Sequence, residues 1–231
     1  MNDLLKVPKT PKGVETLNNI LSAAAQLIYE RGYYGANISD ITKLAGVATG
    51  TFYLYFDSKI SLYRYLLLQI GHTIRRELSE KTRACKTRRE AERAGLIAWL
   101  NYVRVHPYVY NIIWESLYVD RKLFTEYYET FNKSYVSGLK AAQDNGEVTD
   151  IDFDVLSYAL MGISNFVGLK YCMFSEEPAD FGKVADEIMK VLENGMFTDY
   201  IPASPHSVPE KERNVDFRVE VDFDFLKQKD K

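Results

Sequence analysis

An all-α fold is the expectation, and three observations predict it. Apolar residues recur at the i, i+3, i+4, i+7 spacing of a helix face through most of the chain. Glycine (13) and proline (7) are scarce among 231 residues, so long helices run uninterrupted. The two cysteines, Cys85 and Cys172, lie far apart without a CxxC spacing, and His72, His106 and His206 form no ligand-spaced group, which argues against a disulfide framework or a zinc-stapled fold. The length predicts one or two domains with a sizeable core.

Taken in order, residues 1–13 place Pro8, Pro11 and Gly13 among lysines and predict a flexible basic arm. From Val14, Leu17, Ile20, Leu21, Ala24, Leu27 and Ile28 form one helical face, which Gly32 ends. Ser39 is the expected N-cap of a short helix carrying Ile41, Leu44 and Ala45, closed by Gly46. A second short helix is expected from Thr49 to Phe56. Asp57 and Ser58 stop it and cap a long helix with the stripe Ile60, Tyr63, Leu66, Leu67, Ile70, Ile74 and Leu78. Arg83 to Arg93 reads as an exposed helix end and linker. Further helical patterns cover roughly 90–105, 107–119, 121–145, 152–175 and 180–197, with Pro107 suited to a first turn, Asn145-Gly146 to a turn and Asp152 or Asp154 to a cap. The tail differs. Val215, Phe217, Val219, Val221, Phe223 and Phe225 alternate with charged residues, the period of a strand, within a tail at 201–231.

Residues 39–56 therefore form two short helices joined by a tight turn, a helix-turn-helix, whose second helix can enter a major groove. Ile41, Leu44, Ala45, Val47, Phe52 and Phe56 would anchor the unit. Thr49, Gly50, Thr51, Tyr53, Leu54 and Tyr55 remain for contact, with hydroxyls for phosphate oxygens and carbon faces for thymine methyls. Charge agrees with this placement. The net charge is −3, yet residues 1–89 hold 14 basic and 7 acidic residues (+7), while residues 90–231 hold 15 and 25 (−10).

The run Glu30-Arg31-Gly32-Tyr33, Asn37-Ile38-Ser39-Asp40-Ile41, Leu44-Ala45-Gly46-Val47, Gly50-Thr51-Phe52-Tyr53-Leu54-Tyr55-Phe56 and Lys59 resembles the TetR family of bacterial transcriptional regulators over about residues 14–70. The resemblance implies an all-helical homodimer. Its three-helix head (14–57) binds double-stranded operator DNA, and its larger body (58–200) dimerises and binds a small-molecule effector that releases the DNA. By position, Thr49, Gly50, Thr51, Tyr53 and Tyr55 would meet the groove, Lys59 a phosphate at a helix N-terminus, and Tyr34 and Ser39 the DNA backbone. The family's usual hydroxyl after Val47 is replaced by Ala48, so Thr49 becomes the candidate cap, and the bases read are left open.

In the acidic body, aromatics crowd residues 99–135. Burying so many hydroxyls requires partners or a wet cavity. Trp99, Tyr102, Trp114, Tyr118, Phe131 and Asn165 are the expected effector-pocket residues. His106, Glu115, Lys43 and the Arg75-Arg76 pair read as surface or capping positions. Small residues at 159, 162, 164 and 168 suit close helix packing across a dimer two-fold. No catalytic constellation, phosphate loop, metal site or cofactor motif is present in the pattern. No signal peptide or apolar run of about 18 residues is visible, so a cytoplasmic protein with no membrane partner is expected. The functional expectation is a ligand-responsive DNA-binding regulator, a repressor released from a palindromic operator by a small hydrophobic or aromatic effector. Its rival is a helical interaction or small-molecule-binding protein that does not touch DNA.

Overall fold

The computed structural model describes residues 4–175 and 177–194. Every regular element among them is helical, in the order α1 (Pro11–Gly35), α2 (Ile38–Leu44), α3 (Thr49–Phe52), α4 (Lys59–Thr82), α5 (Arg88–Val105), α6 (Tyr108–Val119), α7 (Arg121–Asp144), α8 (Phe153–Leu169), continued by a π-helical turn at Lys170–Phe174, and α9 (Phe181–Asn194). The strand expected at 215–225, with the rest of the 201–231 tail, lies outside the described residues.

Local chemistry sets the helix starts. Thr10 accepts from the Gly13 N–H and Pro11 occupies the first turn, so α1 begins three residues before Val14. Ser58 and Ser61 form a reciprocal capping box on α4. Thr87, Asp120 and Asp152 cap α5, α7 and α8. Two expected caps are corrected. The α2 cap is Asn37, whose side chain accepts from Asp40 N–H at 2.9 Å, and Ser39 lies inside the helix. Ala48 precedes α3 without any side-chain cap, and Thr49 instead lies 3.4 Å from the Thr42 hydroxyl. The second helix of the motif is also shorter than expected. It ends at Phe52, and Tyr53 to Tyr55 continue as turns.

Residues 4–10 are docked, which corrects the expected flexible arm. Leu5 is buried in the core, Lys6 N–H donates to Tyr55 C=O at 3.0 Å, and Lys6 Nζ pairs with Asp57 at 2.6 Å. One apolar insertion and one main-chain bond suffice to fix so short a segment.

A contiguous apolar core links head and body, from Leu17, Ile20 and Ile28 of α1 through Phe52, Phe56, Tyr63 and Leu67 to Leu100, Val103, Ile112 and Ile113. Phe52 and Phe56 are fully buried, each contributing about 1.5–3 kcal/mol by removal from water. In the body, Trp99 Nε1 donates to Ser164 C=O at 3.0 Å and Tyr110 Oη to Asn165 C=O at 3.0 Å, tying α5 and α6 to α8. The small residues of α8 divide accordingly. Gly168 is buried against Tyr110 and Trp99 of its own chain, whereas Ala159 is exposed.

Candidate DNA-binding face and effector cavity

The head presents a small, flat face. Thr49, Gly50 and Ser39 are exposed, Tyr53 and Leu54 project from the turn after α3, Leu44 is exposed beside them, and Tyr34 is 74% exposed at the end of α1. Open space surrounds the Gly50 α-carbon, so another surface can approach the backbone there. Thr51 is only half-exposed.

Two expected contact residues point elsewhere. Tyr55 is buried, and its hydroxyl donates to Gly13 C=O at 3.1 Å, clamping the motif to α1. Lys59 turns inward. Its ammonium donates to Tyr33 C=O at 2.8 Å and lies 4.2 Å from the Tyr33 ring centroid. Burial lowers its pKa, and Glu115 opposes that fall. Lys9, Lys12 and Lys43 are exposed cations of the head.

Lys59 belongs to a joint that the sequence reading missed. Gly32 adopts φ +71° inside α1, a left-handed break that frees the Tyr33 N–H from the helix. Glu115 of α6 accepts that N–H at 2.7 Å and is partly buried, so its expected exposed position is corrected. The Tyr33 ring packs edge-on against Tyr63, whose hydroxyl donates to Ile112 C=O at 2.6 Å. Burial, with the nearby Glu115 and Tyr33, pushes the Tyr63 phenol well up. Arg64 of α4 also pairs with Asp120 at 2.6 Å. The end of α1, the start of α4 and α6 thus meet at one polar cluster. Only the Gly-Tyr pair at the helix end signalled it in the sequence.

The body holds a partly open cavity of about 460 Å³ between α4, α5, α7, α8 and α9, within the size range of small-molecule sites. Three of the six expected residues line it: Trp99, Phe131 and Asn165. The other three are placed elsewhere. Trp114 is 40% exposed against Phe166, Tyr118 is 79% exposed, and Tyr102 packs on His106 at 4.6 Å. The sequence reading missed Arg75, Tyr127, Tyr128 and Tyr135, which line the cavity. Burial raises Tyr127 strongly and holds Tyr128 at about 12, so both phenols are neutral hydrogen-bonding groups across the physiological range. At one wall Arg88 pairs with Glu92 at 2.5 Å, and the Tyr135 hydroxyl donates to the same carboxylate at 2.5 Å.

Comparison with known proteins bears first on the head. The description of the tetR family of bacterial regulatory proteins matches residues 20–66, which span most of α1, the whole motif and the start of α4. Over this segment, about a fifth of its length, the chain matches the TetR family. Among TetR-family relatives, the fatty acid metabolism regulator protein of Bacillus subtilis (strain 168) is 39% identical over 80 residues, 33% of this chain. The match spans 39% of that relative's length. The likeness in fold extends through the body. The structure of the fatty acid degradation regulator FadR from Bacillus halodurans matches with a TM-score of 0.71 at 20% identity, covering 82% of this chain and 98% of that one. FadR from Bacillus subtilis, solved in complex with stearoyl-CoA, matches with a TM-score of 0.64 at 21% identity, covering 78% and 99%. Among the described residues no helix is long and apolar enough to cross a membrane.

Proposed function

We propose that this TetR-family chain is a homodimeric, ligand-responsive transcriptional regulator that binds a palindromic operator and is released from it by a small apolar effector. The observation that carries the reading is the joint at Gly32, Glu115 and Lys59. It fastens a head with an exposed motif face to the helices of a body that holds a cavity. α4 takes part in both, starting under the head and lining the cavity at Arg75, Leu78, Ser79 and Thr82. A ligand that repositions α4 has a physical route to the head. The stearoyl-CoA complex of the B. subtilis structure supports an elongated apolar effector.

Tyr53, Thr49, Gly50 and Tyr34 are the proposed DNA contacts, with Ser39 and Thr51 at the edge of the face. Lys9, Lys12 and Lys43 supply phosphate contacts in place of the inward-turned Lys59. The two-fold partner would cover the outward face of α8, where Val155, Tyr158, Ala159 and Phe166 are exposed. The site of action is the cytoplasm, where its DNA target lies.

An electrophoretic mobility shift with DNA from the region upstream of its own coding sequence tests the reading. Specific binding that weakens steeply between low and moderate salt is expected. Tyr53→Ala should reduce it by about tenfold or more, a contact loss of about 1–3 kcal/mol, with an unchanged melting temperature. Specific binding unaffected by Tyr53→Ala and Gly50→Glu would overturn the placement of the face.

A further inference from the structure

Arg75 differs from the other charged groups at the cavity. It lies on α4, half-buried, with its guanidinium carbon 5.1 Å from the Phe131 ring centroid. Its Nη1 sits over Gly71 beside the Tyr127 ring, since a β-carbon on Gly71 would come within 3.2 Å of the one and 3.1 Å of the other. Gly71 therefore leaves the room into which this guanidinium folds. Among the described residues no carboxylate pairs with Arg75. Its pKa is lowered by burial and raised only by Tyr127, and among the described residues it enters no ion pair. Arg88, the other cation on the cavity wall, is neutralised by Glu92. Among the described residues the cavity therefore carries one surplus positive charge, held against aromatic carbon rather than against an acid.

A partly desolvated guanidinium with only a π-face for company is costly. It is relieved by a planar anion, which it can bind through two parallel N–H donors. From Arg75 to Thr82 the cavity follows seven residues of α4, about 10 Å at 1.5 Å per residue. Leu78, Leu96, Leu160 and Ile188 give the cavity an apolar lining, and its remaining polar groups, among them Ser79, Thr82 and the Arg88–Glu92–Tyr135 cluster, carry no net charge.

We propose that the cavity takes an elongated apolar carboxylic acid, its carboxylate seated on Arg75 and its chain lying between α4, α5, α8 and α9 toward Thr82. This rests on the cavity being the effector site and adds the charge and orientation of the effector. It predicts selectivity between an acid and its neutral ester, which no purely apolar cavity provides.

Calorimetric titration of the purified full-length protein with dodecanoic acid and with methyl dodecanoate tests it. Wild type should bind the acid at least tenfold more tightly than the ester. Arg75→Gln should lower acid affinity to the level of the ester and leave ester affinity within about twofold. Arg75→Lys should retain part of the preference, because the charge remains while the bidentate fork is lost. An acid preference undiminished in Arg75→Gln, or equal binding of acid and ester by wild type, overturns the Arg75 seat and leaves the effector cavity standing. Failure of wild type to bind either compound overturns the seat together with the cavity reading.

Discussion

Single residues carry more of this structure than their side-chain chemistry announces. Gly32 does two things at once. Its φ of +71° breaks α1, and its missing side chain admits Glu115, whose Oε1 lies 2.8 Å from where a β-carbon would be. Gly32→Ala should therefore destabilise the fold by about 1–3 kcal/mol through strain alone, with a further loss from displacing Glu115. Chemical denaturation checks this, and a change below 0.5 kcal/mol (about the size of an ordinary surface substitution) would show that the break is not needed. Asp120 gives a pH-dependent test. Burial raises its pKa, but the bond from Arg64, the Leu123 and Lys122 N–H groups and the Arg64 charge outweigh that and leave it lowered. A carboxylate with a lowered native pKa stabilises the fold above its unfolded value of about 3.9 and loses that contribution as pH falls through the native value. The melting-temperature gap between wild type and Asp120→Asn should be present at neutral pH and close below about pH 4. Asparagine keeps an acceptor for the Leu123 N–H, so the comparison reports the charge.

Elements behave as units here, and the joint between α1, α4 and α6 is one of them. Removing Glu115 leaves the Tyr33 N–H without its acceptor and removes the acid nearest Lys59. Glu115→Ala should cost about 1–3 kcal/mol, the penalty of an unsatisfied buried donor. It should also weaken the response of DNA binding to effector more than it weakens DNA binding itself. Mobility shifts with and without dodecanoic acid check the second part, and an unchanged response would remove the joint from the signalling route. The short motif helices were legible in the sequence because turn glycines and apolar anchors are local signals. Gly46 does adopt a positive φ of 70°, and Phe52 and Phe56 are buried. The inward turn of Lys59 and the clamping of Tyr55 were not legible. Both depend on α1 carbonyls, Tyr33 and Gly13, that lie 26 and 42 residues away in the chain.

At the scale of the molecule, the outward face of α8 is the largest prediction. Val155, Tyr158 and Phe166 are 64%, 46% and 66% exposed, an apolar stripe that a single chain leaves in water. Phe166→Asp should convert a dimer to monomers in analytical ultracentrifugation at micromolar concentration and should abolish operator binding, because a palindrome needs two heads. A Phe166→Asp protein that sediments as wild type does would remove this face from the proposed dimer. The charge division belongs to the same scale. The basic segment ends at the linker before α5, and the acidic body holds the cavity, so the mean of −3 describes neither part.

By itself the sequence determined the all-α class, the order of the helices to within a few residues, and the helix-turn-helix. Each rests on periodicity, capping and turn chemistry that act over one or two helical turns. It also indicated that the aromatic residues near 99–135 would need hydroxyl partners or a wet cavity. Only the tertiary structure decided which residues do which. Trp99 and Phe131 face the cavity and Trp114 and Tyr118 face outward, because helices crossing from distant parts of the chain select the buried face. The same crossing turned Arg75 from an expected surface cation into the charge at the cavity wall. A guanidinium's spacing in sequence is the same whether it faces water or Phe131, and only the neighbouring helix distinguishes the two.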